Sequence, residues 1–329
     1  MLTSEYNKRT ENYKKMINER IFVLLKGKKP KALYDPIRYF LSSGGKRIRP
    51  LLLIASAGAV NRKRVNQVIN QAVAVELLHN FTLIHDDIMD NSSLRHGKKT
   101  LHEMYDVNTA ILSGDNLLAL AFNLLNSNLH YNENKILHEF SNAVVVVCEG
   151  QSLDKEFESL GNVTLQDYLE MIYKKTASML SVSCKIGALC GDAPDSIVSS
   201  LSNYGKNLGL AFQIQDDLLD MKGDNRKFGK TLGSDLTEGK KTFLLLSALQ
   251  RAKGKDSDKL TQLIKNKGIR AELVDTYFEI YKKYKIDILA KEFIQKYVEK
   301  AVNSLNSITD SVHKDFLNRF ANQLLYRTH

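Results

Sequence analysis

Tryptophan is absent from the 329 residues, proline occurs only 4 times and cysteine 3 times. So few prolines leave few obligatory helix breaks, and long helices are expected. Cys148, Cys184 and Cys190 stand in apolar, helical-looking stretches with no paired metal spacing. That excludes a disulfide framework and reads as reduced core thiols of an intracellular protein. No apolar run is long enough to cross a bilayer: the longest, LLLIASAGAV at 51 to 60, falls well short of the roughly 20 residues a span needs. The N-terminal stretch MLTSEYNKRTENYKKMINER lacks the apolar centre of a secretory signal. A soluble, cytoplasmic protein is expected, with peripheral membrane contact left open.

The net charge is +10. No zinc-finger, basic-zipper or RNA-recognition pattern accompanies it, so nucleic acid is not an expected partner. The basic residues that stand out are placed singly beside Gly and Asp, which suits small phosphates better than a polymer.

What the chain does have is helical periodicity. With 43% hydrophobic and 26% charged residues, it has the composition of a large globular core. Residues 66 to 85 carry apolar side chains too densely for a one-sided surface helix, so this helix is expected to be buried nearly all round. Further helices are expected over 108 to 130, 135 to 150 (VVVV at 144 to 147 included), 165 to 190, 197 to 220 and 242 to 252. Loops are expected at 42 to 46, 91 to 99, 159 to 163, 191 to 195, 222 to 239 and 253 to 258. No linker divides the chain. The expectation is an all-α helical bundle around a central cavity, one domain over 1–329. Its motif-bearing core spans about 40–250, and a Lys-rich helical part spans 255–329.

Within this apolar pattern, HNFTLIHDDIMDNSSLRHGKK (79 to 99) places Asp86, Asp87 and Asp90. FQIQDDLLD (212 to 220) repeats the spacing with Asp216, Asp217 and Asp220. On a helix, Asp86 and Asp90 share a face, as do Asp216 and Asp220. Carboxylates among apolar residues need positive partners. Oxygen-only donors without His or Cys favour Mg²⁺, which prefers a few carboxylates plus substrate phosphates. Suitable cations are present. SSGGKRIRP (42 to 50) offers Lys46, Arg47 and Arg49 beside paired glycines, where backbone can approach an anion. His79 precedes Asp86 by two helical turns and so lies on its side of the helix. Lys174 and Lys175, and the lysines of GKTLGSDLTEGKKT (229 to 242), accompany the second acid motif.

These motifs closely resemble the trans-isoprenyl diphosphate synthases. The match runs from about Gly44 to Thr242 through GGKRIRP, HDDIMDNSSLRHG, SGD (113 to 115), EGQSLD (149 to 154), KT (175 and 176), FQIQDDLLD and the GK…D…GKKT segment. The resemblance implies an all-α homodimer of the isoprenoid-synthase type, a prenyltransferase. It would join isopentenyl diphosphate to dimethylallyl, geranyl or farnesyl diphosphate with three Mg²⁺ ions. By similarity Asp86, Asp90 and Asp216 bind Mg²⁺, supported by Asp87, Asp217 and Asp220. Arg95, Lys175, Gln213 and Lys230 grip the allylic diphosphate, with Lys240 near. Lys46, Arg49 and His79 form the isopentenyl diphosphate site, and Thr176 and Gln213 face the developing cation. Where the family usually has two arginines, this chain has Arg95-His96, and the second normally contacts isopentenyl diphosphate.

Bulky residues upstream of the first acid motif act in the family as a floor for the growing chain. Phe81 stands five residues before Asp86, about 7.5 Å along a helix, followed by the small Thr82 and preceded, one turn back, by Leu78. One aromatic there, with an uninterrupted DDxxD, resembles archaeal-type enzymes making twenty-carbon geranylgeranyl diphosphate. A farnesyl or longer product stays open, as does a catalytically silent partner subunit of a heteromeric synthase.

Overall fold

A computed structural model describes residues 2–127, 132–222 and 232–325. Helices dominate it in chain order: α1 (Leu2–Leu25), α2 (Lys31–Leu41), α3 (Ile48–Val60), α4 (Ile69–Met89), α5 (Leu101–Met104), α6 (Val107–Leu125), α7 (Glu133–Ser159) and α8 (Leu165–Ile172). A π-helical segment, Tyr173–Ala177, leads into α9 (Ser178–Cys190). Then come α10 (Asp195–Lys222), α11 (Ser234–Thr237), α12 (Phe243–Arg251), α13 (Lys255–Lys265), α14 (Val274–Lys283), α15 (Ile286–Ser304) and α16 (Val312–Leu325). The all-α expectation holds, and VVVV is helical.

Four local expectations are corrected. Within the 222 to 239 stretch expected as loop, Ser234–Thr237 is helical, started by the left-handed Gly233 (φ 76) with Asp235 in its first turn. Residues 91 to 99 are not all loop: β1 (Leu94–Arg95) and β2 (Lys98–Lys99) pair antiparallel. His96 (φ 51) and Gly97 (φ 75) turn between them, the backbone that a two-residue hairpin on a right-handed twist requires. Residues 255 to 258 are helical, because α13 starts at Lys255 with Asp256 and Asp258 in its first turn, where acids suit the helix dipole. Cys148 is exposed on α7, whereas Cys184 and Cys190 are buried as expected.

Helix starts follow side-chain chemistry. Asp106 caps α6 by accepting from the Thr109 N–H at 2.8 Å. Thr164 and Asp167 form a reciprocal capping box on α8. Thr242 caps α12. The chain divides into two compact units: residues 1–144, 182–202 and 305–319 in one, and 145–181, 203–304 and 320–329 in the other. In the first, α4 packs on α6, α3 and α1. Pro50 through Ala59 of α3 are buried. On α4 the all-round burial expected over 66 to 85 holds for Asn70 through Leu78; 66 and 67 precede the helix and are exposed, and most residues from His79 to His85 are half-buried, because the helix end carrying the acid motif opens towards solvent. In the second, α12 packs on α8, α13 and α15, with Phe243 fully buried against Phe293 at 5.0 Å.

One buried polar contact in the first unit has a measurable consequence. His313 of α16 is 2% exposed, stacks 6.5 Å from Tyr13 and leaves its Nδ1 without a partner. A Cβ on Gly58 would lie 2.3 Å from the imidazole, so only glycine admits the ring at this crossing. Burial, then the charges of Arg9 and Arg62, push the His313 pKa from 6.5 down to about 4. Between those values the unfolded imidazole binds a proton and the folded one does not. Stability is therefore full above pH 6.5 and falls as pH drops towards 4, by on the order of 3 kcal/mol at most. Thermal denaturation of wild type and His313→Phe across that window should show the variant losing less stability on acidification; parallel curves refute it.

Candidate active site

The residues picked out by sequence fall into two clusters, one in each unit. In the first unit α4 ends in the acid motif. Asp86 is half-buried, Asp87 is 1% exposed, and Asp90 is exposed as the C-cap residue. Arg95, from the hairpin that follows, donates from Nε at 2.8 Å and Nη2 at 2.7 Å to Asp87 Oδ1. Asp87 Oδ2 is buried without a partner. Burial raises the Asp87 pKa, and Arg95 opposes the shift.

The GGKR loop enters α3 in a tight backbone. Gly44 (φ 77) and Gly45 (φ 138) are left-handed, and so is Arg47 (φ 53), the residue before the helix. Arg47 is held by a buried ion pair, Nη1 to Glu76 Oε1 at 2.7 Å, with both side chains at most 5% exposed. It also donates to Leu41 O at 3.3 Å and Asn18 Oδ1 at 3.2 Å. Asn80 donates to the same Glu76 carboxylate oxygen at 3.3 Å. Arg49 is half-buried with its Nε sealed and unpartnered. Burial pulls its pKa down to about 10, with Glu76 opposing. His79, half-buried on α4, is pushed well below 6.5 by burial and then by Arg49, Arg95, Arg47 and His96. His96 is lowered by burial and Arg95, against Asp87. Lys46 is exposed at the loop's edge. The first cluster thus gathers cations around His79, the arrangement that a multiply charged anion stabilises.

Phe81 is half-buried with its ring 4.7 Å from that of His85. Thr82 is half-buried, its hydroxyl bonded back to His79 O at 2.8 Å, and Leu78 is fully buried.

In the second unit, the π-helical segment carries Lys175 and Thr176. The extra residue in the turn is the kind of local irregularity that concentrates at functional sites. Its backbone lies against Gly150 of α7, where a Cβ would sit 2.3 Å from the Lys175 nitrogen. Lys175 Nζ meets Asp154 Oδ2 at 2.5 Å. Burial raises the Asp154 pKa, but Lys175 and Lys240 outweigh it and the net shift is downward. Thr176 donates to Gln213 Oε1 at 2.9 Å, and Gln213 Nε2 donates to Asp217 Oδ1 at 3.3 Å. Asp217 is 4% exposed. Its Oδ2 accepts from the Tyr168 hydroxyl at 2.6 Å and the Phe243 N–H at 2.9 Å. Burial, then Asp235, push its pKa up to about 7 against those donors and Lys240. Asp220 accepts from Ser234 at 2.9 Å and the Asp235 N–H at 3.3 Å. Asp216 is half-buried. Crowding works against the charge on Lys240, but Asp235, Asp154, Asp217 and Glu238 more than reverse that and raise its pKa. Lys230 lies outside the described residues.

Among the described residues, no group of three or more His, Cys, Asp or Glu side chains converges into a closed metal cage. The donors are all oxygens, and the unpaired, buried Oδ2 of Asp87 beside Asp86 marks a place short of positive charge. Asp217 and Asp220, engaged by protein donors, are suited to orienting neighbours in the manner of outer-shell groups. Sequence reading alone missed Glu76, Asp154, Tyr168 and His85. Asp154 stands in the quoted EGQSLD and His85 opens the quoted HDDIMDNSSLRHG; Glu76 and Tyr168 are single residues with no signal of their partners.

Comparison with known proteins completes the description. A family model described as Polyprenyl synthetase matches residues 30–281. The geranylgeranyl pyrophosphate synthase of Geoglobus acetivorans is 37% identical over 317 residues, covering 96% of this chain and 97% of that protein. A geranylfarnesyl diphosphate synthase of Natronomonas pharaonis is 38% identical over 252 residues, covering 71% and 74%. The crystal structure of geranylgeranyl pyrophosphate synthetase from Pyrococcus horikoshii Ot3 superposes with a TM-score of 0.89 at 35% identity, covering 99% of this chain and 100% of that one.

The Asp217 environment yields a direct test. In metal-free protein its carboxyl should titrate near pH 7 by carbon NMR. Tyr168→Phe, which removes a donor to the charged form, should move that midpoint upward. A midpoint near 4, or no response to Tyr168→Phe, contradicts this electrostatic account.

Proposed function

The chain belongs to the polyprenyl synthetase family, and from that premise we propose that it condenses isopentenyl diphosphate head-to-tail with allylic diphosphates and stops at geranylgeranyl diphosphate. It is a prenyltransferase. The observation that carries the reading is the cluster of Arg47, Arg49 and Arg95 around His79, with Lys46 near His96, set beside a carboxylate-bearing helix end. It is a diphosphate site next to a Mg²⁺ site.

On this reading Asp86, Asp90 and Asp216 hold Mg²⁺, with Asp87, Asp217 and Asp220 orienting them. Bound there, Mg²⁺ would supply charge neutralisation to the leaving diphosphate. Lys175, Arg95 and Lys240 add positive charge to the same leaving group. Ionisation is assisted because charge develops against groups already in place. Thr176 and Gln213 turn oxygens towards the allylic cation. Lys46, Arg49 and His79 orient isopentenyl diphosphate, with His79 held neutral as a hydrogen-bonding group. The double bond of isopentenyl diphosphate attacks the cation, and the proton lost from the adduct passes to the departing diphosphate. Two copies of the chain form the functional dimer. The twenty-five-carbon alternative is favoured by the geranylfarnesyl relative. Against it stands Phe81 in the floor position.

Two measurements check this. Turnover of labelled isopentenyl diphosphate with Mg²⁺ and dimethylallyl, geranyl or farnesyl diphosphate in turn should give one twenty-carbon product. Phe81→Ala should extend it by at least one five-carbon unit; an unchanged product length removes Phe81 as the floor. The pKa of His96 is lowered below 6.5 by burial and Arg95, so His96 is neutral at pH 7.5 and gains charge only on acidification. Relative to His96→Arg, the wild-type KM for isopentenyl diphosphate should therefore be several-fold higher at pH 7.5 and converge as pH falls. A constant ratio across pH rejects a charge role for His96.

A further inference from the structure

The last turn of α1 and the corner into α2 read RIFVLLKGKKPKALY, residues 20 to 34, without a single acidic residue. Phe22 is 66% and Val23 61% exposed. Their neighbours Ile21 and Leu25 are buried at 6% and 4%, so the helix is docked and its outward face is what stays apolar. Lys26, Lys28, Lys29 and Lys31 are exposed around that face. Phe22 and Lys26, four residues apart, lie one above the other. The corner is held in place. Arg38 donates from Nη2 to Leu25 O at 2.9 Å and to Lys28 O at 3.0 Å, and the Lys26 N–H bonds to Phe22 O at 3.0 Å.

We propose that the α1–α2 corner is a docking surface for an anionic lipid bilayer. Phe22 and Val23 enter the boundary between headgroups and acyl chains, and the four lysines meet the anionic headgroups. Two weak signals, a small apolar wedge and a basic collar, are what reversible membrane attachment requires. No helix of the described residues is long and apolar enough to cross a membrane, so attachment is at the surface. A second copy of the chain fits the patch poorly, because it would set lysines against lysines. Nucleic acid would use the lysines but offer Phe22 and Val23 nothing apolar. The purpose of docking, delivery of an apolar product into the bilayer, rests on the proposed function; the docking itself does not.

The test is co-sedimentation of the full chain with vesicles of phosphatidylcholine containing about a third phosphatidylglycerol, against pure phosphatidylcholine. Binding should be at least about tenfold tighter to the anionic vesicles and weaken with salt. Phe22→Ser with Val23→Ser, and separately Lys28→Glu with Lys29→Glu, should each lower it by about tenfold or more. Helical content, oligomeric mass and turnover without vesicles should not change in either pair. Equal sedimentation with both lipids, or variants that bind like wild type, overturns the proposal. So does a change of oligomeric mass in the Phe22/Val23 pair when wild type ignores vesicles, which would make the patch a protein interface. Release from vesicles by duplex DNA with no effect of the Phe22/Val23 pair likewise overturns it in favour of nucleic acid. Vesicle binding with this pattern in a protein that makes no prenyl product would keep the docking surface and reject the proposed reaction.

Discussion

The buried ion pair between Arg47 and Glu76 addresses the constraint that the first cluster depends on. Cations that must bind a diphosphate have to be held together before it arrives. Lys46, Arg47, Arg49 and Arg95 repel one another, and the repulsion is least screened at Arg47, which is buried, and at the half-buried Arg49 and Arg95. Glu76 and Asp87 are the counterweights. Glu76 takes Arg47 and feels Arg49; Asp87 takes Arg95. Removing one partner of such a buried pair typically costs about 3–5 kcal/mol. The loop backbone is therefore fixed by the same contact that sets its charge, including the left-handed Arg47. Burial, and after it the remaining crowding of cations, act on the weakest bases: His79 is kept neutral, and His96 is pushed in the same direction. Preorganised charge of this kind lowers a barrier because nothing needs to move when the ligand's charge develops.

The second cluster faces the converse difficulty, carboxylates gathered in a buried place. Burial, then the nearby Asp235, push Asp217 towards protonation, and the structure answers with donors. Tyr168, the Phe243 amide and Gln213 all point at Asp217, and the Lys240 ammonium is surrounded by four acids. These donors also carry position. Gln213 links Asp217 to Thr176, and Thr176 sits on a π-helical segment whose neighbour Lys175 is pressed against Gly150. A shift of that segment would move a lysine and a hydroxyl together.

Sequence reading reached the elements whose signal is local and repeated. The two DDxxD motifs, the GGKR loop and the apolar density of α4 all announce themselves within a few residues. Adjacent aspartates were the harder case. Successive residues on a helix point about 100° apart, so Asp216 and Asp217 cannot share one role, and the structure separates them into half-buried and buried. Glu76 stayed hidden because one glutamate among alanines, valines and leucines gives no hint of an arginine 29 positions earlier. Asp154 lay within the quoted EGQSLD, but nothing in that stretch names Lys175, 21 positions later, as its partner. The hairpin at Arg95 to Lys98 was legible in principle. His tolerates a left-handed backbone better than most residues, and His-Gly between two short polar runs is a turn signal. That gives a physical reason for a histidine at position 96, where the backbone has φ 51.

The same logic bears on product length. A floor made of one free side chain would yield to a growing hydrocarbon by changing rotamer, and a spread of lengths would follow. Phe81 is not free in that sense. Its ring lies 4.7 Å from His85. His85 in turn has its Nε2 3.5 Å from Ile111 O and 3.7 Å from the Asp115 carboxylate on α6. Gly114 makes the approach feasible, since a Cβ there would sit 2.4 Å from the His85 ring. Phe81 is thus backed by a second helix through a histidine that directly precedes Asp86. On the proposed reading, the residue that stops the chain lies five residues, about 7.5 Å along α4, before the first acid motif. Its support is shared: Gly114 acts on Phe81 through His85, and His85 adjoins Asp86 in the chain, so the substitution that loosens the floor most directly is at Phe81 itself.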